Sequence, residues 1–101
     1  MMNAGGVVAK TLRAKLEAAF SPLALDIGDE SARHAGHAGA RLNDDGTRAE
    51  THFRVRIVSS AFVGLSRVER QRRVYAALSH ELTSGVHALA LTTLTPEEAS
   101  R

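Results

Sequence analysis

The sequence predicts an α+β domain in which a three-stranded mixed sheet carries helices on one face, in the order α-β-β-α-β-α. Three observations predict it. Apolar residues recur at three- and four-residue steps over residues 8–20 and again after Ser66, the spacing of amphipathic helices. Between them, "THFRVRIVSS" alternates apolar and polar residues, the period of a strand with one solvated face. A further apolar stretch, "VHALALTTL", follows the second helix, and a strand reached through a helical crossover pairs in parallel with the strand it left.

Each element has its own signal. In the first helix Val8, Leu12, Leu16, Ala19 and Phe20 form the apolar stripe, with Lys10, Arg13, Lys15 and Glu17 between them. Pro22 stops it, and Leu23, Leu25 and Ile27 alternate as a half-buried first strand. The second strand turns Phe53, Val55 and Ile57 inward and His52, Arg54 and Arg56 outward. Ser66 followed three residues later by Glu69 is a capping-box signature. Val68, Gln71, Tyr75, Leu78 and Leu82 carry that helix to about residue 82. Gly85 ends it, the third strand follows, and Thr95, Pro96 and Glu98 open a short terminal helix with Pro at its favoured first position. Residues 31–50, rich in Gly, Ala, Asn and Asp, show no periodicity, and a connection of that length in a small domain is functional or disordered.

Composition narrows the function classes. The 101 residues suit one domain, and 44% apolar with 24% charged residues is a globular balance. No apolar run approaches the roughly eighteen residues of a membrane span. The N-terminal "MMNAGGVVAK" lacks the features of a secretory signal, so a cytoplasmic protein, or one of an organelle matrix, is expected, and separately a monomer when alone. The absence of cysteine excludes disulfides, thiolate zinc sites and a cysteine nucleophile, so any metal must be held by His, Asp or Glu. A net charge of +2 and a pI near 9.7 permit nucleic-acid binding without requiring it. No nucleophile–base pairing, phosphate loop or spaced carboxylate pair points to an enzyme.

Two segments, "ETHFRVRIVSSAFVGLSRVERQRRVYAALSHEL" and "GVHALALTTLTPEE", resemble the BolA family, and the resemblance runs over nearly the whole chain. It implies a fold similar to the class II KH domain. It also implies partnership with a monothiol glutaredoxin through a shared two-iron two-sulfur cluster; some bacterial members look like DNA-binding regulators of shape and stress genes. His87 matches the family's ligand at the start of the third strand, and His34 matches the second ligand in the preceding loop, where other members have cysteine. The chain departs from the pattern by adding His37, by lengthening the loop through "GARLNDDGTRA", and by placing Gln71 where many relatives have histidine. The second ligand therefore stays open between His34 and His37.

Imidazole is a good ligand for iron, and two histidines on one iron occur in Rieske centres. Because each iron needs two protein ligands, this chain's histidines leave the rest to a partner's thiolates, and no cluster is expected in the isolated chain. Without the resemblance, His87 would read as an inert strand histidine beside Leu89 and Leu91, and His34 and His37 as solvated loop residues. His52 reads as structural and His80 as favourably placed near a helix C-terminus. The literal Gly36-His37-Ala38-Gly39 matches the KH backbone clamp but lies between two strands, so it carries no assignment. On the second helix Arg70 and Arg73 are expected opposite the apolar stripe with Arg67 and Arg72 flanking it, a basic surface that could meet DNA phosphates. An ordinary solvated face is the plainer reading of it. Four aromatics, mostly at core-facing positions, leave no stacking platform for single strands.

Overall fold

The structure, a computed structural model, describes residues 6–30, 52–84, 86 and 88–101. Helix α1 (Val7–Phe20) buries Ala9, Leu12, Leu16 and Phe20, spaced three and four apart, while Ala19 is exposed. Its last turn closes on Ser21, whose left-handed backbone (φ 44°, ψ 57°) sends its N–H to the Glu17 carbonyl at 3.0 Å. Pro22 then prevents continuation.

Strands β1 (Ala24–Asp29), β2 (His52–Val58) and β3 (Ala88–Leu94) form one sheet in the order β1-β2-β3, antiparallel between β1 and β2 and parallel between β2 and β3. Leu25, Ile27, Phe53, Val55 and Ile57 are buried, on the face that the alternation predicts. Leu23 departs from it: standing just before β1, where the chain is still turning out of α1, it is 72% exposed. The opposite face keeps Arg54, Arg56, Ala90 and Thr92 exposed.

A 3-10 turn (Ser60–Phe62) leads from β2 towards α2 (Arg67–Ala77), whose N-cap Ser66 accepts the Glu69 N–H at 3.1 Å. The expected single helix to residue 82 is broken at buried Leu78 (φ −107°, ψ 17°) and resumes as α3 (Ser79–Ser84). The buried face of α2 is also rotated from the expected stripe. Val68 and Tyr75 are exposed, while Arg70 and Val74 are buried and Leu78 lies completely inside. The periodicity misleads because a charged residue holds a core-facing position. Helix α4 (Pro96–Ala99) has a complete capping box: Thr95 Oγ accepts the Glu98 N–H, and Glu98 accepts the Thr95 N–H.

The core joins Leu12, Leu16 and Phe20 of α1 to the inner sheet face, Phe62, Val74 and Leu78. Phe20 and Phe62 meet with ring centroids 5.2 Å apart. Ser59 fastens three elements at the floor of this core. Its hydroxyl donates to the Phe20 carbonyl at 2.6 Å and accepts from Ala61 N–H at 3.0 Å, and its own N–H reaches the Leu94 carbonyl at 2.9 Å. No helix among the described residues is long and apolar enough to cross a membrane.

Candidate functional site

One end of the sheet gathers the chain segments that flank the histidines of interest. The Glu30 N–H donates to the His52 carbonyl at 2.8 Å, closing β1 against β2, and His52 pairs with Ala88 in β3. One step further in, Asp29, Phe53 and Leu89 form a continuous row across all three strands. The end of β1 thus lies beside the start of β2, and His52 is the neighbour of the residue that follows His87. His34, His37 and His87 themselves lie outside the described residues. Among the described residues no group of three or more His, Cys, Asp or Glu side chains could hold a metal ion.

The run into β3 is held from below. Val86 is buried and its N–H donates to the Glu81 carbonyl at 3.0 Å. The Glu81 side chain, 7% exposed, meets Lys15 Nζ of α1 at 2.7 Å. Burial works against its ionisation, but the hydrogen bond from Lys15, that from the Glu81 backbone and the charges of Lys15 and His80 together outweigh it and hold the carboxyl below its ordinary range. On the wet side, Arg54 Nε meets Glu30 Oε2 at 3.1 Å where the long connection begins. His52 is half-buried in this row. His80, expected late in a long helix, instead sits in the first turn of α3 because of the break at Leu78; its Nε2 lies 3.5 Å from Ser84 Oγ.

The second candidate surface is α2. Arg67, Arg72 and Arg73 are exposed, with Arg72 Nη1 3.2 Å from Glu69 Oε1. Arg70 does not join them. Its Nε donates to the Leu65 carbonyl at 3.0 Å, and its Nη1 to the Thr93 carbonyl at 3.1 Å. Both terminal nitrogens engage Glu98, at 2.6 and 3.2 Å. The expected exposed role is overturned because a buried guanidinium is tolerated where a carboxylate and carbonyls satisfy its fork, as they do here. Arg70, with the Thr95 N–H, holds the Glu98 carboxyl down to about 2. Nothing local in the sequence announces a partner 28 residues away.

The fold and these positions can be set beside known proteins. The family model described as BolA-like protein matches residues 16–98. This chain belongs to that family. Among its BolA-like relatives, BolA-like protein 1 of Mus musculus is 47% identical over 95 residues, covering 94% of this chain and 63% of that protein. The DNA-binding transcriptional regulator BolA of Escherichia coli is 40% identical over 92 residues, covering 91% of this chain and 79% of that one. The solved structure of BolA1 from Arabidopsis thaliana superposes with a TM-score of 0.80 at 44% identity, covering 94% of this chain and 98% of that one. This BolA-like chain spans as little as 23% of the length of another relative that it matches.

Proposed function

We propose that this BolA-like chain is a non-enzymatic adaptor that partners a monothiol glutaredoxin and contributes His87, with His34 or His37, to a shared two-iron two-sulfur cluster. The observation that carries the reading is the pairing of His52 with Ala88, because it brings both roots of the histidine-bearing connection to the sheet end that precedes β3. Two strand spacings separate β1 from β3, about 10 Å. The four residues from Glu30 to His34 can span up to about 14 Å, so His34 is within reach of the start of β3; His37 has more chain to spare. The donor set fits the same reading. A chain without cysteine offers imidazoles that suit iron but cannot complete two irons, so a partner's thiolates are required. The cluster would supply electron transfer or a transferable iron–sulfur unit; this chain's residues would hold it at one edge and set which partner docks. Mixing the chain with a monothiol glutaredoxin, iron and sulfide tests the reading. A visible absorption and circular dichroism spectrum distinct from that of the glutaredoxin alone is expected, and an unchanged spectrum contradicts it.

A second reading, a DNA-binding regulator, is favoured by the exposure of Arg67, Arg72 and Arg73 on one helix and by what the E. coli relative's name says of that protein. Contacts of this kind act by counterion release and weaken steeply with salt. Arg67→Ala with Arg73→Ala should lower the salt slope by about two while leaving the fold intact; an unaltered slope would place any DNA contact elsewhere.

A further inference from the structure

The two margins of the sheet are guarded unequally. The Ser59 N–H donates to the Leu94 carbonyl at 2.9 Å, so Leu94 turns its backbone groups towards β2, and by alternation Ala88, Ala90 and Thr92 do the same. Leu89, Leu91 and Thr93 therefore aim their N–H and C=O groups away from β2, at the free margin. At one end Arg70 Nη1 takes the Thr93 carbonyl at 3.1 Å, and its guanidinium closes the margin there. The backbones of Leu89 and Leu91 have no such cap among the described residues. A long edge strand is ordinarily blunted by charge, proline or a bulge. β3, with the sequence ALALTTL, has no charge and no proline, and it pairs with β2 one to one without a bulge. On the other margin β1 carries Asp26 and Asp29, and Arg13 Nη2 donates to its Leu25 carbonyl at 3.2 Å.

We infer that the β3 margin is a self-association surface, on which β3 of a second copy of this chain pairs antiparallel about a two-fold axis at Ala90. The open groups choose both occupant and register. Unmet N–H and C=O groups on alternate residues select an extended strand, and a margin without charge offers nothing to attract a charged one. A two-fold contact needs a self-complementary surface, and β3 supplies it, since Leu89 and Leu91 lie symmetrically about Ala90. Leu89 of each copy exchanges both main-chain hydrogen bonds with Leu91 of the other. Ala90 faces Ala90 of the second copy as the non-hydrogen-bonded pair, where Cα atoms approach to about 4.5 Å and a small, exposed side chain fits. On the core side, half-buried Leu89 and Leu91, which pack against the hydrophobic cluster, cover each other across the axis. Pairing centred on Leu91 instead would set Leu89 against Thr93, whose carbonyl Arg70 holds. So short a contact makes a small interface, and the dilute chain stays monomeric.

The test uses the full chain alone, without iron or a second protein. Sedimentation equilibrium from about 10 μM to about 1 mM, the range in which a small interface associates, should show the average mass rising towards twice that of the monomer. Over the same range the Leu89 and Leu91 amide protons should exchange with solvent more slowly as the dimer fraction grows. Ala90→Lys and Ala90→Glu each alter one exposed side chain and set like charges across the axis, so each alone should stay monomeric at the highest concentration. Mixed in equal amounts, the two variants should associate again, because opposite charges then meet. A wild type that stays monomeric up to about 1 mM would leave the margin to another protein's strand and overturn the inference. A mass increase without protection of those two amides, an undiminished dimer in either variant, or a mixture that stays monomeric would overturn it as well.

Discussion

Arg70 and Glu98, 28 residues apart, form a two-pronged ion pair in which both terminal guanidinium nitrogens engage the carboxylate, at 2.6 and 3.2 Å. The same guanidinium reaches the carbonyls of Leu65 and Thr93, so one side chain joins the start of α2, the end of β3 and α4. Arg70→Ala would strand those carbonyls and remove the stem from the core. A loss of about 2–3 kcal/mol in urea unfolding is expected. Arg70→Lys should recover only part of it, because a single ammonium cannot reproduce the fork. A neutral result for Arg70→Ala would contradict this account of α2.

Acid should act on the same pair. The Arg70 guanidinium holds the folded Glu98 carboxyl down to about 2, below the ordinary 4.5 of a free glutamate, so its contribution is fully present above about pH 4.5 and is lost as pH falls towards 2. Unfolding midpoints measured across that window should fall with pH more steeply in the wild type than in Glu98→Gln. Identical slopes would show that the pair does not contribute this linkage.

Ser59 offers a test of the core's polar fastening. It is fully buried, and its hydroxyl both donates to Phe20 and accepts from Ala61. Ser59→Ala leaves the Phe20 carbonyl and the Ala61 N–H without that partner, and a cost of about 1–3 kcal/mol is expected in thermal or urea unfolding. A change below about 0.5 kcal/mol, the scatter of ordinary surface substitutions, would show that water or a backbone shift replaces the hydroxyl.

The contrast between β2 and α2 shows what the sequence makes legible. In β2 Phe53, Val55 and Ile57 are apolar and buried with polar Arg54 and Arg56 between them, so the three could be placed by alternation alone; only Val58, at the strand end, breaks the pattern. The parallel crossover to β3 followed from connection geometry. In α2 a charged residue takes an inward position, and the apolar Val68 and Tyr75 face outward; the information that Arg70 is satisfied there resides in Glu98, Thr93 and Leu65, far along the chain or on its backbone. Glu81 was hidden for the same reason, since its partner Lys15 lies on the first helix. Of the candidate site, the sheet end is described and matches the expected strand order. His87 and His34 were legible as candidate ligands by resemblance to the family, and His37 only as this chain's addition to the pattern; all three lie outside the described residues.

The central claim, that this chain's histidine nitrogens ligate iron in a cluster shared with a glutaredoxin, is tested most directly by isotope. The chain is labelled with 15N-histidine, assembled with unlabelled monothiol glutaredoxin, iron and sulfide, reduced, and measured by pulsed electron–nuclear double resonance. Strong 15N couplings are expected from the wild-type complex, reduced in His87→Ala, and absent when His87, His34 and His37 are all replaced by alanine. A wild-type complex showing no strongly coupled 15N would contradict the account.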